Sequence, residues 1–215
     1  MTTEPTDTRR ARILAVARKH FGRHGYRRTV LDDIAAEAGC AKGSLYLEFP
    51  GKKDLFFAVL DDVNAEAGRR YAAEIAGITS PAAWLRTGLA FTFDTLEREP
   101  LLARLLTDDP ELPILREYAA QGRKRTEVEA AVQHFRELLR RGIAAGELRA
   151  DLDVEVVPFV IAGLKFLHLH ADLITAGMID RRRYFAGLVD FVLAGVLAPP
   201  NAAQPSGPPD QESSA

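Results

Sequence analysis

The sequence predicts an all-α protein, and three observations support that fold class. Helix-forming residues dominate, with frequent Ala, Leu, Arg and Glu and few β-branched runs. Apolar residues recur at helical spacing, as at Ile13, Ala17 and Phe21, and Pro and Gly separate the helical segments. The chain has 215 residues, of which 47% are hydrophobic and 27% charged. This composition is ordinary for a globular protein of one large or two small domains.

Two helices are predicted at the start of the chain. The apolar stripe through Phe21 favours a helix over about residues 8–23, ended by Gly22 and Gly25. Thr29 is suited to cap a second helix, because its hydroxyl can accept a hydrogen bond from an amide of the first turn. Asp32, three residues later, could complete a capping box.

The next segment has the spacing of a helix-turn-helix. Ala35 allows two helices to cross closely, Gly39 permits a left-handed turn, and Leu45 returns the following helix to the core. That helix, about residues 41–48, would present its other side chains outward, as a helix entering a DNA major groove must. Pro50 and Gly51 then break the chain before a fourth helix, which begins near residue 52.

The remaining segments also have helical patterns. Ser80 and Pro81 are a helix start signal, and they predict a helix to about residue 98. Further helices are expected over about residues 113–141, 154–175 and 181–197. The last two are apolar around much of their circumference and therefore need two partners. We expect residues 154–198 to form a homodimer interface.

The predicted organisation follows from these patterns. Residues 1–60 are expected to form a helix-turn-helix DNA-binding domain, and residues 61–198 a ligand-binding and dimerisation domain. Residues 199–215 hold five prolines among Gly, Ser, Asn and Gln, and are expected to be a disordered tail.

Charge is divided unevenly between these regions. The whole chain carries −2, but residues 1–60 hold eleven Lys and Arg against seven Asp and Glu, a net +4. A basic head suits binding to nucleic acid. A single cysteine excludes an internal disulfide, and the N-terminus lacks the pattern of a signal peptide. The longest apolar stretch, about residues 154–174, is interrupted by charged residues, so no membrane span is predicted and a cytoplasmic location is expected.

The head resembles the DNA-binding domain of the TetR/AcrR family of bacterial repressors over about residues 8–60. The resemblance rests on Phe21, Gly25, Tyr26, Thr29, Val30, Asp33, Ile34, Ala35, Ala38 and Gly39, followed by Lys42, Gly43, Ser44, Leu45, Tyr46, Phe49, Lys52, Leu55 and Phe56. Beyond the head, only the helix count and the run 146–149 resemble the family. The resemblance implies an all-α homodimer with a four-helix bundle at its interface. It also implies that a small molecule in the middle helices changes the spacing of two DNA-binding heads.

The resemblance also implies which residues contact DNA: Thr29, Lys42, Gly43, Ser44, Tyr46, Leu47 and Lys52. Tyr46 has the chemistry for both base methyls and a phosphate, and Gly43 would let the backbone approach closely. Lys52 adds a cation at a helix N-terminus suited to phosphate, and Thr29 offers a hydroxyl and amides in the same way. Glu48 departs from the family pattern, which usually has His or Tyr there. Its carboxylate would repel a phosphate or could accept from a cytosine amine.

Candidate sites elsewhere are less specific. An effector pocket could be lined by Trp84, Phe91, Tyr118, His134 and Phe135, although aromatic residues at helical spacing are more often ordinary core. The pair His20 and His24 has metal-ligand spacing but lacks a third ligand nearby, so no metal is expected. We found no nucleotide-binding or hydrolase motif, and we expect neither a catalytic site nor a cofactor.

Together these patterns predict a ligand-responsive transcriptional regulator, most simply a repressor. It would bind a near-palindromic double-stranded operator as a homodimer and would be released by a small, lipophilic or aromatic effector. The alternative from another class is a helical enzyme or small-molecule carrier that uses the body cavity and keeps a vestigial head. An activator or nucleoid-type protein of the same fold is a third possibility.

Overall fold

The computed structural model describes residues 6–102 and 112–199, and this part of the chain is helical, as predicted. The predicted disordered tail lies outside the described residues, apart from Pro199. The helices are α1 (Thr6–Arg28), α2 (Leu31–Glu37), α3 (Lys42–Glu48), α4 (Lys52–Ile75), α5 (Pro81–Arg98), α6 (Leu112–Ala119), α7 (Gly122–Ala144), α8 (Val157–Leu169), α9 (Ala171–Ile174) and α10 (Arg181–Val196).

In the head, α1 packs against α4 and α2, α2 packs against α3, and buried residues of all four helices form one core. The side chains at the centre are fully buried, among them Phe21, Ile34, Leu45, Leu55 and Phe56. Gly39 adopts a φ of 62° between α2 and α3, the left-handed turn that the sequence predicted. The helix-turn-helix is therefore formed by the residues that its spacing indicated.

The prediction that Thr29 caps α2 was wrong. That helix begins at Leu31, and Val30 occupies the N-cap position without a side-chain hydrogen bond. The backbone kinks at Gly25, where φ is 75° and ψ is 171°, and α1 continues beyond the kink to Arg28. This exposes the Gly25 carbonyl to the turn that follows, and the Thr29 hydroxyl donates to it at 2.7 Å. Thr29 thus stabilises the kink at Gly25 and does not cap α2.

The body is built around α5, which packs against α4, α7, α8 and α10. Its N-terminus is capped as predicted, since the Ser80 hydroxyl oxygen accepts from the Ala83 amide at 3.2 Å. The carboxylate of Glu147 accepts from the same hydroxyl at 2.5 Å and from the Ala82 amide at 3.1 Å. This contact joins the turn after α7 to the start of α5. Beside it, Leu148 is buried against Gly142.

Two predicted helices are each divided. The segment expected over residues 113–141 is α6 and α7, because the backbone of Gln121 is extended (φ −60°, ψ 129°) before Gly122. The segment expected over residues 154–175 is α8 and the short α9, with the change of direction at His170 (φ −101°, ψ 17°). Within the described ranges, every helix is too short or too polar to cross a lipid bilayer.

Candidate DNA-binding surface and effector cavity

The third helix presents two contrasting faces. Leu45 is 1% exposed and is followed by Tyr46 and Leu47, which are 42% and 86% exposed. Phe49, just after the helix, returns to the core at 2% exposure. An exposed leucine and tyrosine on a short surface helix remain accessible to a partner, and their methyl and ring carbons suit thymine methyl groups.

Lys42 lies at the start of this face, and Ser44 is partly buried beside it. The Lys42 ammonium is 2.8 Å from Oδ1 of Asp32 on α2, and this hydrogen-bonded pair raises the pKa of the lysine. Both side chains are more than half exposed, so the pair contributes little to stability and can exchange one anion for another. A phosphate could therefore replace Asp32 as the partner of Lys42.

Gly43 has no packing reason to be glycine. A Cβ atom built there meets no atom of the described chain within 4 Å, although glycine inside a helix costs about 1 kcal/mol relative to alanine. The space over Gly43 is open on the same face as Tyr46 and Leu47. The backbone at Gly43 is therefore open to solvent, and its close approach to DNA stays a prediction.

Lys52 begins α4 next to this surface. Its ammonium donates to the Arg27 carbonyl at 2.9 Å and lies 5.0 Å from the centre of the Tyr26 ring. These contacts hold the cation at the N-terminus of α4, which is a favourable position for an anion. Thr29 differs from the expectation, because its side chain is 3% exposed and its hydroxyl is committed to Gly25. The proposed hydroxyl contact of Thr29 with DNA is therefore corrected to a structural role.

Glu48 has a partner that the sequence did not reveal. Two N–H groups of Arg9 donate to one of its carboxylate oxygens, Nη2 at 2.8 Å and Nε at 3.3 Å. The Glu48 side chain is only 10% exposed. The ion pair joins the start of α1 to the end of α3 and neutralises the carboxylate of Glu48.

A cavity of about 510 Å³ opens in the body between α4, α5, α7 and α8. Three of the residues that the sequence suggested line it: Trp84, Phe91 and Phe135. The other two do not. Tyr118 is buried against the head, where its hydroxyl donates to Asp61 at 2.8 Å, and His134 lies on the exposed side of α7 against the Trp84 ring.

Sequence reasoning missed Tyr71, which α4 contributes to the cavity wall. Its ring contacts Trp84 and Phe91, at centroid distances of 5.8 and 5.1 Å. Burial raises the pKa of the Tyr71 hydroxyl to about 12. The remaining lining is small or apolar, and comprises Ala67, Gly68, Leu85, Gly88, Leu89, Thr92, Val128, Ala131, Val132, Pro158, Ile161 and Ala162.

The same helix joins this cavity to the head. Glu66 lies one residue before Ala67 of the cavity wall, and its carboxylate accepts from Arg18 of α1 at 2.6 Å. The hydrogen bond from Arg18 lowers the pKa of Glu66. Arg18 also pairs with Glu99, a buried carboxylate just after α5. The guanidinium of Arg18 on α1 therefore links the head to α4 at Glu66 and to the end of α5 at Glu99.

No group of three or more His, Cys, Asp and Glu side chains within the described ranges could hold a metal ion. His20 pairs with Glu37 at 2.7 Å, and this contact lowers the pKa of Glu37. The histidine therefore joins α1 to α2 at the surface of the head.

Comparison with known proteins agrees with this architecture. Residues 13–59 match the family model for "Bacterial regulatory proteins, tetR family", and residues 81–183 match the "Tetracyclin repressor-like, C-terminal domain". The chain belongs to the TetR family of bacterial regulatory proteins. The TetR/AcrR resemblance is thereby confirmed, and the protein is a DNA-binding transcriptional regulator.

Individual TetR relatives are distant. The transcriptional repressor KstR2 of Mycolicibacterium smegmatis is 29% identical over 157 residues, 70% of this chain and 72% of that protein. Among solved structures, FadR of Bacillus subtilis in complex with stearoyl-CoA has a TM-score of 0.66 and 19% identity, over 86% of this chain and 98% of that chain. A regulator from Saccharomonospora viridis in complex with choline has a TM-score of 0.74 and 20% identity, over 90% of this chain and 100% of that chain. These two likenesses show the fold.

Proposed function

We propose that this TetR-family regulator is a repressor that leaves its operator when a small apolar effector enters the body cavity. The observation that carries the proposal is the exposed face of α3, on a head that α4 joins to a cavity. We place the protein in the cytoplasm, where its DNA partner is, and assign it no enzymatic activity. Residues 1–60 would serve as the DNA-binding domain and residues 61–198 as the effector and dimerisation domain.

The proposed DNA contacts are Lys42, Gly43, Ser44, Tyr46, Leu47 and Lys52. Tyr46 and Leu47 would read base edges, since they are the exposed large apolar residues of α3. Lys42 and Lys52 would hold phosphates, which fixes the register of the helix in the groove. Thr29 would support these contacts by holding the kink before α2.

The homodimer would form through α8, α9 and α10. Large apolar side chains are exposed on these helices and on the turn before α10: Phe159, Val160, Phe166, Leu167, Leu173, Ile174, Met178, Ile179 and Phe191. Exposed apolar groups in such number mark an interaction surface. A second copy of the chain would bury them and bring two heads to a near-palindromic operator, with half-sites about one helical turn or more apart.

The effector would be predominantly apolar, because Tyr71, Trp84 and Thr92 supply the polar side-chain groups among the lining residues. The stearoyl-CoA of the Bacillus subtilis structure has a long acyl chain, whereas the choline of the Saccharomonospora viridis structure is a cation. The uncharged lining here favours the hydrocarbon type of ligand.

Release would pass through α4. A ligand that displaces Ala67 and Tyr71 also shifts Glu66, which is paired with Arg18 of the head. Typical coupling free energies are about 1–3 kcal/mol, which corresponds to an operator affinity reduced by roughly 5–150-fold.

The test is a fluorescence-anisotropy titration of the protein against DNA from upstream of its own gene. Scrambled competitor DNA and two salt concentrations separate specific from electrostatic binding. Binding that survives the competitor and weakens with salt supports the proposal. If scrambled DNA displaces the protein as readily as the upstream DNA does, specific binding to this upstream DNA is refuted. Genome-wide site selection would then decide whether any sequence is preferred.

A further inference from the structure

Tyr71 is a polar group on an otherwise apolar cavity wall. Its ring is held between Trp84 and Phe91, so the hydroxyl has little freedom of position. That hydroxyl lies over Gly88 of α5, because a Cβ built at Gly88 would be 3.2 Å from the Tyr71 oxygen. Glycine at this position is therefore what leaves room for the hydroxyl.

The hydroxyl has no hydrogen-bond partner within residues 6–102 and 112–199. The Thr92 hydroxyl on the same cavity wall donates to the Gly88 carbonyl at 2.9 Å, not to Tyr71. Tyr71 is half-buried, and its oxygen is not one of the fully buried unpaired atoms of the described residues, so it remains accessible from the cavity. The hydroxyl is instead directed at the cavity, where a bound molecule can supply the partner.

The lining also limits the charge of that molecule. Among the described residues, sixteen line the cavity, and none of these is Asp, Glu, Lys, Arg or His. An ionised group inside would lose its hydration without gaining a counter-charge, which is strongly unfavourable. Because the pKa of the Tyr71 hydroxyl is about 12, it stays protonated at neutral pH and can donate as well as accept.

We propose that the Tyr71 hydroxyl is the polar anchor for a neutral effector, a hydrocarbon ring skeleton with a ketone or hydroxyl oxygen that contacts it over Gly88. The cavity volume of about 510 Å³ is within the usual range for small-molecule sites. The rings of Tyr71, Trp84, Phe91 and Phe135 offer flat faces that suit a cyclic skeleton. This inference rests on the proposed function, because it specifies the ligand of the same cavity.

The experiment uses Trp84, the single tryptophan of the chain, as a fluorescent reporter in the cavity wall. The probes are the bicyclic ketone 2-decalone and the carboxylate of the same skeleton, decalin-2-carboxylate. We expect the ketone to change Trp84 emission with saturation, and the carboxylate to bind at least tenfold more weakly. Equal affinity for the two probes would overturn the inference.

Two variants test the anchor itself. Y71F removes the hydroxyl alone and should weaken binding of 2-decalone about five- to tenfold, as expected for one hydrogen bond. G88A places a methyl group against the same oxygen and should weaken binding similarly, while alanine remains favourable in the helix. The control is R86A, which removes an exposed side chain of α5 outside the cavity and should leave the affinity unchanged.

Operator binding, measured in parallel, separates the two levels of the proposal. If the wild type binds its operator and Y71F binds 2-decalone as tightly as the wild type does, the anchor alone is overturned. Operator-competent protein that shows no Trp84 response to the ketone would also overturn the anchor. Loss of specific operator binding in the wild-type protein would instead refute the proposed function.

Discussion

Replacing Arg9 with alanine should destabilise the head and also weaken operator binding. The guanidinium of Arg9 makes two hydrogen bonds to one oxygen of Glu48, at 2.8 and 3.3 Å. Removing it leaves a carboxylate that is 10% exposed without this partner, at the end of the helix proposed to enter the groove. The unpaired negative charge would lower stability and repel phosphate.

The magnitude follows from the partial burial of the pair. Hydrogen bonds to charged groups contribute about 1.5–3 kcal/mol, and the solvent access of Arg9, 25% exposed, reduces this to about 1–2 kcal/mol. Separately, the unpaired carboxylate at the end of α3 would repel phosphate, so R9A should also bind the operator more weakly than the wild type does. The E48Q variant removes the charge, so the double variant R9A/E48Q should recover much of what R9A loses.

The assay is equilibrium urea denaturation at fixed protein concentration, followed by far-ultraviolet circular dichroism, with operator anisotropy on the same samples. Fixed concentration matters because dimerisation would contribute to the apparent stability. A stability of R9A equal to that of wild type would refute the reasoning. So would strictly additive effects in the double variant, since additivity means that the two side chains do not interact.

Three further predictions follow from the geometry. G142A would place its Cβ 2.5 Å from Cδ1 of Leu148 and should lower the free energy of unfolding by about 1–3 kcal/mol. The control G163A adds a Cβ that meets no atom of the described chain within 4 Å, so no comparable clash is expected. Equal urea midpoints for the two variants would contradict this prediction. Because the pKa of Tyr71 is raised from 10.0 to about 12, its contribution to stability should be present below pH 10 and be lost as the pH rises through 12. Y71F should therefore show a weaker loss of stability at alkaline pH than the wild type. Identical curves of stability against pH for the two proteins would contradict this prediction. F191K changes a side chain that is 79% exposed on α10, and it should yield folded monomers that bind the operator poorly. Light scattering measures the oligomeric state and anisotropy the operator affinity. An intact F191K dimer would argue against the proposed dimer interface.

The helix-turn-helix was predictable because its determinants are local. Ala35, Gly39 and Leu45 lie within eleven residues, and each acts through backbone conformation or packing against the adjacent helix. The same locality explains Ser80 and Pro81 at the start of α5. Spacing along the chain is sufficient where the interacting groups are neighbours in sequence.

The corrections concern side chains whose hydrogen-bond partners the sequence pattern does not identify. Glu48 pairs with Arg9, 39 positions away, so its isolated position in the sequence suggested an unpaired charge beside DNA. Thr29 was expected to accept from an amide of α2, but its hydroxyl donates to the Gly25 carbonyl at the kink instead. Local patterns identify a donor or a charge without identifying the acceptor that the fold brings to it.

The cavity shows the same limit. Aromatic residues could be counted in the sequence, but which of them share one space depends on the packing of four helices. Trp84, Phe91 and Phe135 do, whereas Tyr118 packs against the head and His134 lies outside. Tyr71 was missed because α4 has residues that face the head, the cavity and solvent, so its apolar residues do not form one continuous stripe.

The most direct test of the central claim compares operator affinity of the wild type with that of K42A/Y46A and of the matched control R86A. Lys42 and Tyr46 are exposed on the head and are not needed for its core, whereas Arg86 is an exposed cation on α5. By anisotropy at a single salt concentration, K42A/Y46A should lose specific affinity at least tenfold, since each base or phosphate contact is worth about 1 kcal/mol or more. R86A should bind as the wild type does. Unchanged affinity in K42A/Y46A would contradict the assignment of α3 as the helix that reads DNA.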